Sequence, residues 1–311
     1  MQKKTGSRES GRKNKQMEEK DMERKNDFET GKNDRNMEKY SVLLAVYAKD
    51  YPQYLTQAID SMLGQTVPCS QFVITVDGPV SSELEDVIKK YDEKYPGLFT
   101  VHRLKRNAGL GRALDEGLKQ CRHDLIARMD ADDISRPERC EKLLKLFQSH
   151  AQLSLAGTDI DEFYEKPQNA GLRRAVPGGY ADICMFMKRR SPFNHVTVMF
   201  RKAEVLRCGG YGRMRRKQDL DLFARMLHHG CYALNINEPL VLVRADKDNY
   251  RRRSSWEYCR SYIEVQKMNY KRGYCSLPDL LFVAAGQLTM HFAPKPVMKF
   301  LSDSLLRKPV S

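Results

Sequence analysis

The sequence predicts an α/β protein: a mostly parallel central sheet flanked by helices, followed by a helical C-terminal extension. Three observations carry this expectation. Near-continuous apolar runs of strand length recur at 40–46, 72–76, 99–104 and 125–129, as expected of strands covered on both faces. Stretches with apolar residues at helical spacing separate them. Strands and helices alternating at such short intervals call for parallel pairing through right-handed crossovers.

The elements follow in order. Residues 1–39 are rich in Lys, Glu, Arg, Asp and Asn with few apolar side chains, and are expected to be a disordered charged tail because they bury too little surface to offset ordering. A catalytic-sized domain is expected over 40–245. Its first strand, Tyr40 to Val46, leads through Tyr47 and Pro52 into a helix with Leu55, Ile59, Met62 and Leu63 on one face. The strand Phe72–Val76 ends at the turn-forming Asp77, Gly78 and Pro79; Leu84, Val87, Ile88 and Tyr91 then mark a helix over 82–95. Strand Phe99–Leu104 passes through Asn107, Gly109 and Gly111 into a helix reaching about Cys121, and strand Leu125–Met129 follows. Further strands are expected at 153–157, 196–201 and 240–243, with helices over 183–187, from Asp219 and over 255–270. Residues 246–311 then read as a basic helical extension, in which apolar stretches near 280–285, 290–292 and 297–301 alternate with Lys and Arg.

Three carboxylates, Asp130, Asp132 and Asp133, stand within four positions just past the strand 125–129. In extended chain, residues two apart point the same way, so Asp130 and Asp132 can face one hard cation. Oxygen-rich carboxylate sets suit Mg²⁺ or Mn²⁺ shared with substrate phosphates, and ligands of open α/β sheets bind at the carboxyl ends of strands. The same trio read alone fits equally well as the cap of a helix whose first turn is set by Ser135 and Pro137. Tyr47, Asp77 and the loop at Asn107 share that sheet edge, where a ring and a carboxylate could stack on and bond a nucleobase. The Asn107–Gly111 loop has neither the P-loop nor the dinucleotide-fold spacing of glycines.

Charge and cysteines bound the function. The formal charge is +14, of which the tail, with about 12 basic and 9 acidic side chains, supplies little. From Leu240 onward about 13 basic side chains stand against about 6 acidic, a bias that suits anionic lipid or phosphorylated ligands. No nucleic-acid motif accompanies it, and the aromatic residues do not interleave with the basic ones. Eight cysteines without C-x-x-C pairs or zinc spacing read as reduced thiols of a cytoplasmic protein. No apolar run reaches the roughly 18 residues of a membrane span, so the expectation is a soluble cytoplasmic protein or one peripheral at the inner face of the plasma membrane.

Several motifs in series resemble family 2 glycosyltransferases. They are Ser41 to Tyr47, Gln65-Thr66, Val76 to Pro79, Asn107-x-Gly109-x-Gly111-x-Ala113-Leu114-x-x-Gly117, Met129 to Asp133, Ser191 to His195, Gly209-Gly210-Tyr211, and Gln218-Asp219-Leu220-Asp221-Leu222. They cover roughly 40–263 and are most similar to bacterial exopolysaccharide and capsule enzymes of the amylovoran type. The resemblance implies a GT-A fold, Rossmann-like, and a metal-dependent, inverting transfer from a UDP-, GDP- or dTDP-sugar. It puts Tyr47 and Asp77 in the base and ribose pocket, and Asp130 and Asp132 in a D-x-D motif whose second aspartate is the usual ligand of Mg²⁺ or Mn²⁺. Asp219 matches the catalytic base. Gln218 stands where glutamate often precedes it, which leaves Asp221 as a rival.

Asn107 joins the donor-nucleotide set, and Asn194, His195, Gly210 and Tyr211 are candidates for the acceptor or sugar pocket. His195 also fits a satisfied structural histidine, and the Gly209–Tyr211 turn a plain hinge. Arg251 and Arg252 lie in a basic run that could close on the donor diphosphate, or simply be a solvated run. The acceptor implied is a lipid-linked oligosaccharide or another saccharide, with an anionic membrane surface as a further partner. The alternatives are a sugar nucleotidyltransferase, which should carry an early Gly- and Lys/Arg-rich phosphate loop, and a non-catalytic nucleotide- or nucleic-acid-binding protein.

Overall fold

Helices and strands form where apolar spacing and local caps agree, and together they bring four strand ends to one edge. A computed structural model describes residues 37–164, 166–212, 214, 216–245, 255–292 and 308–309. The elements are β1 (Tyr40–Val46), α1 (Pro52–Leu63), β2 (Gln71–Val76), α2 (Ser82–Lys94), β3 (Phe99–Arg103), α3 (Leu110–Gln120), β4 (Leu125–Met129) and β5 (Ile134–Ser135). Then come α4 (Arg139–Ser149), β6 (Leu153–Phe163), β7 (Leu172–Arg174), α5 (Tyr180–Met187), β8 (Met199–Arg201), α6 (Lys202–Arg207), α7 (Gln218–His228) and β9 (Tyr232–Arg244). The last are α8 (Trp256–Lys271), α9 (Leu277–Phe292) and β10 (Lys308–Pro309).

Helix α1 starts on Pro52 at its first turn, where the missing N–H costs nothing. Helix α2 is capped by Ser81, whose hydroxyl accepts from the Leu84 amide, with Glu83 and Glu85 in its first turn and Lys94 in its last. Gly117 lets α3 lie close on the sheet: a Cβ there would fall 2.2 Å from Thr75 Oγ1 and 2.6 Å from Leu43 Cδ1.

β1 pairs in parallel with β2 on one side and β4 on the other, and β2 pairs in parallel with β3. The chain therefore winds outward through β2 and β3 and returns to place β4 on the far side of β1. That reversal makes a switch point between β1 and β4, where an α/β sheet opens a crevice at its carboxyl edge. The strand order is β10-β7-β6-β8-β4-β1-β2-β3, with β9 parallel to β6 and antiparallel to β5. β8 is antiparallel to both β4 and β6. One face of the sheet carries a core in which Leu43, Val73, Leu114, Ile126, Phe193, Phe200, Leu220 and Phe223 are buried, so α3 and α7 lie against the same strands.

Several expected bounds move. The strand expected at 153–157 continues to Phe163, and 240–243 is only the end of the 13-residue β9, because these two strands pair with each other over their length and polar side chains on them find partners. His195–Thr197 is a single 3₁₀ turn rather than the start of a strand. α4 begins at Arg139, and Ser135 instead lies in β5. Residues 277–292 form one helix; the stretch at 297–301 and residues 1–36 lie outside the described residues.

Candidate active site

Asp130 leaves the end of β4 in company. Its two carboxylate oxygens pair with both terminal nitrogens of Arg128, one of them at 2.6 Å. Arg128 is 1% exposed, in the middle of a strand that is otherwise apolar. A buried guanidinium needs partners. The neighbouring Arg139, also fully buried, ties α4 to this strand by donating to the Arg128 carbonyl at 2.7 Å.

Asp130, Asp132 and Asp133 offer oxygens that all lie within 4.8 Å of one another. Asp133 is buried and accepts the Arg244 amide at 2.9 Å. Burial, followed by the charges of Asp132 and Asp130, pushes its carboxyl well up. Asp132 remains solvent-accessible at its surface, yet burial of its carboxyl and the Asp130 charge push it up to about 6. A fourth carboxylate, Asp50, accepts the Tyr47 amide at 2.9 Å and is pushed up to about 7, by burial first and then by Asp132 and Asp130. Four carboxyl groups crowd beside Arg128 and Arg244, and their mutual repulsion is part of what raises Asp50, Asp132 and Asp133. Such a set suits a hard divalent cation.

The loops that frame this edge are held by their own side chains. Asp77 accepts the Ala108 and Gly109 amides at 2.7 and 2.9 Å, and Asn107 donates to the Asp77 carbonyl at 3.2 Å. Gly78 has φ +84°, and a Cβ there would meet the Asn107 amide at 2.5 Å, so the two loops touch through backbone. Gln65 clips α1 to the segment beyond the carboxylates, donating to the Ser61 and Arg136 carbonyls and accepting the Cys140 amide. Arg244, at the end of β9, donates to the Asp132 carbonyl and lies 3.8 Å over the Tyr54 ring. Tyr47 is 41% exposed at the end of β1.

A second region lies where α7 begins. Asp219 lines a cleft of about 950 Å³ together with His195, Lys217, Arg174, Lys188, Arg189 and Arg190. Met185, Phe186, Phe282 and Met290 supply an apolar side to the same cleft, and Tyr258 and Tyr262 of α8 close it. Burial pushes the Asp219 carboxyl up, but His195, Lys217, the Leu220 amide and Arg128 outweigh this and hold it below the ordinary carboxylate range. His195 is pushed down to about 4, by burial and then by the Arg128 charge, against the pull of Asp219 and Asp130. Its Nε2 lies 3.0 Å from the Tyr211 hydroxyl. Arg128 thus acts on both regions: it pairs with Asp130 and favours the ionised form of Asp219.

A family model, that of glycosyl transferase family 2, matches residues 41–222, a span that includes the acidic cluster and Asp219. The chain belongs to glycosyltransferase family 2. This glycosyltransferase is 35% identical over 272 residues to the Escherichia coli UDP-Gal:alpha-D-GlcNAc-diphosphoundecaprenol beta-1,3-galactosyltransferase, covering 87% of this chain and 97% of that protein. It is also 35% identical over 229 residues to the amylovoran biosynthesis glycosyltransferase AmsE of Erwinia amylovora, covering 74% and 85%. Its GT-A-like fold matches the mannosyltransferase PcManGT of Pyrobaculum calidifontis, solved in complex with GDP-Man and Mn²⁺. The TM-score is 0.59 at 13% identity, over 87% of this chain and 75% of that one. As an enzyme of this family it leaves the nucleotidyltransferase and binding-protein alternatives behind.

The remaining sequence candidates of the glycosyltransferase are placed as follows. Asp221 is not in the Asp219 cleft. It is buried, accepting from Arg225 at 3.0 Å and from Arg272 at 2.6 Å, in a depression with Gly209 and Gly212. Gly210, at φ +65°, leaves no room for a Cβ beside Asp115, and its carbonyl accepts from Arg225. Tyr211 is fully buried and its amide donates to Asp115 at 2.7 Å. Asn194 is buried and donates to the Thr158 carbonyl at 2.8 Å. Gln218 is buried and sits where a Cβ on Gly111 would be 3.1 Å from its side chain. Arg251 and Arg252 lie outside the described residues. Sequence reasoning missed Asp50, Arg128 and Lys217; the lone Arg inside an apolar strand was the one available signal, since a charge there must be paired.

Proposed function

We propose that this glycosyltransferase moves a sugar from a nucleotide-sugar donor to a hydroxyl of a lipid-diphosphate-linked saccharide in bacterial polysaccharide or O-antigen assembly, with inversion at the anomeric carbon. The observation that carries the reading is Asp219. An ionised carboxylate at the start of a helix lines a cleft large enough for a saccharide, and Arg128 links it electrostatically to the D-x-D carboxylates.

In this reading Tyr47, Asp77 and Asn107 frame the donor base and ribose, and Asp130 faces the ribose side of the metal position. Asp132, aided by Asp130, would hold Mg²⁺ or Mn²⁺. A bound divalent ion supplies neutralisation of the charge that develops on the leaving diphosphate. Asp219 accepts the proton of the acceptor hydroxyl as that oxygen attacks from the face opposite the nucleotide. His195, neutral at pH 7 and fixed by Tyr211, orients the sugar without competing for the proton. Arg174, Lys188 and Arg190 match a diphosphate on the acceptor, and the apolar side of the cleft matches the start of its lipid chain. Asp221 is assigned to holding the Gly209–Gly212 turn rather than to proton transfer.

The test is turnover of UDP-, GDP- and dTDP-sugars with a synthetic GlcNAc-α-diphospho-alkyl acceptor and Mn²⁺, reading the product linkage by NMR. The expected product has an inverted anomeric centre and needs the diphosphate. Equal turnover of the acceptor lacking its diphosphate would remove the basic side chains from the reading, and retention of configuration would remove Asp219 as base.

A further inference from the structure

Helix α9 turns its apolar residues the wrong way for an ordinary surface helix. Asp279 and Val283 are buried, whereas Leu277, Leu281, Phe282, Leu288 and Phe292 are 47%, 60%, 63%, 39% and 77% exposed. At 3.6 residues per turn, Leu277, Leu281, Leu288 and Phe292 fall within a stripe of about 60°, and Phe282 widens it. Single exposed apolar residues are ordinary; a contiguous row on one helix is not.

Cations lie beside this row. Arg189 pairs with Asp279 at 2.6 Å and its guanidinium sits 4.7 Å over the Phe282 ring. Lys188 and Arg190 line the same cleft as Phe282. Asp279 is the one acidic residue in α9, and that pair takes up its charge. Beyond the helix, the sequence over 293–311 carries Lys295, Lys299, Arg307 and Lys308 against Asp303 alone.

We propose that the exposed face of α9 is a membrane-docking surface that lies in the plane of an anionic phospholipid leaflet. The leucines and phenylalanines enter the boundary between headgroups and acyl chains, and the neighbouring cations meet the lipid phosphates. No helix among the described residues is long and apolar enough to span a bilayer, so the contact is in-plane. A symmetric pairing of two copies through this face would bring the Lys188–Arg190 clusters toward each other, which favours lipid over a second copy. Phe282 and Met290 also line the Asp219 cleft. Docking therefore places the mouth of that cleft at the bilayer surface, whatever acceptor it receives.

The test is co-sedimentation of the full chain with phosphatidylglycerol/phosphatidylethanolamine vesicles, compared with phosphatidylcholine vesicles and with the variant L281Q/L288Q. Neither leucine lines the cleft. The chain is expected to pellet with the anionic vesicles, and the variant to lose more than about tenfold in binding with its melting temperature kept. Failure to pellet, equal binding to neutral vesicles, or equal binding by the variant each overturns the proposal. So does light scattering that shows a dimer which the variant converts to a monomer. None of these readouts involves turnover, so they stand apart from the acceptor reading.

Discussion

Arg128 and Asp130, two residues apart on the same side of β4, form a two-pronged ion pair whose guanidinium is buried and whose carboxylate is about one-third exposed. The arrangement fixes the first carboxylate of the acidic turn in place. It also sets a positive charge behind both that turn and Asp219.

Arg128 is the buried member and Asp130 keeps access to water, so removing the guanidinium costs its charged hydrogen bonds without stranding a buried charge. R128M is expected to cost about 1–3 kcal/mol of stability, read as a lower denaturant midpoint at unchanged slope. If folded protein is recovered, the acid limb of its pH–rate profile should move upward, because Arg128 favours ionised Asp219. A midpoint equal to that of the wild type would show that the pair is not formed.

Asp219 and Asp221 separate by place, one lining the cleft and the other held by Arg225 and Arg272, and the proposed reading gives the base to Asp219. D219N should reduce turnover by about 10²–10⁴ and leave metal-dependent nucleotide binding intact. D221N should instead lower the melting temperature, since it loosens the contacts of Arg225 and Arg272, and keep the pH profile of the remaining turnover. Interchange of these two outcomes would transfer the base to Asp221.

His195 gives a pH signature. Its folded value of about 4 lies below the ordinary 6.5, so between those values the unfolded chain binds more protons. Its contribution is full above about 6.5 and is lost as the pH falls toward 4, up to about 3 kcal/mol. Asp50 and Asp132, whose carboxyls are raised, act in the opposite direction, so the comparison must be between wild type and H195Q. The difference in melting temperature between them should shrink or reverse from pH 7 to pH 5; a constant difference would mean that His195 titrates normally.

Much of this was legible in the sequence, for physical reasons that differ by residue. The strands β1, β2 and β4 are buried on both faces, so their apolar runs stand out, and parallel pairing follows from the helices between them. The edge that gathers Tyr47, Asp77, Asn107 and Asp130 follows from that topology. Asp50 was hidden because its meaning depends on the turn after β1 folding back toward Asp132. Lys217 was hidden for a similar reason: it adopts φ +61°, and its ammonium lies 3.7 Å over the Tyr258 ring, a contact between segments about forty residues apart. The length of β6 and β9 escaped because Asp159, Asp161 and Glu162 are buried in β6. Asp161 is paired with Arg173 and Arg136, and polar residues of this kind do not read as strand interior.

The most direct measurement is thermal stabilisation by a panel of UDP-, GDP- and dTDP-sugars, with and without Mn²⁺, in the wild type and in D132A. At about 100 times its dissociation constant, the correct donor should add about 2.7 kcal/mol, a shift of several degrees. The account requires a shift that depends on Mn²⁺, is confined to one nucleotide and is absent from D132A. An equal shift without metal, or one that survives in D132A, would contradict it.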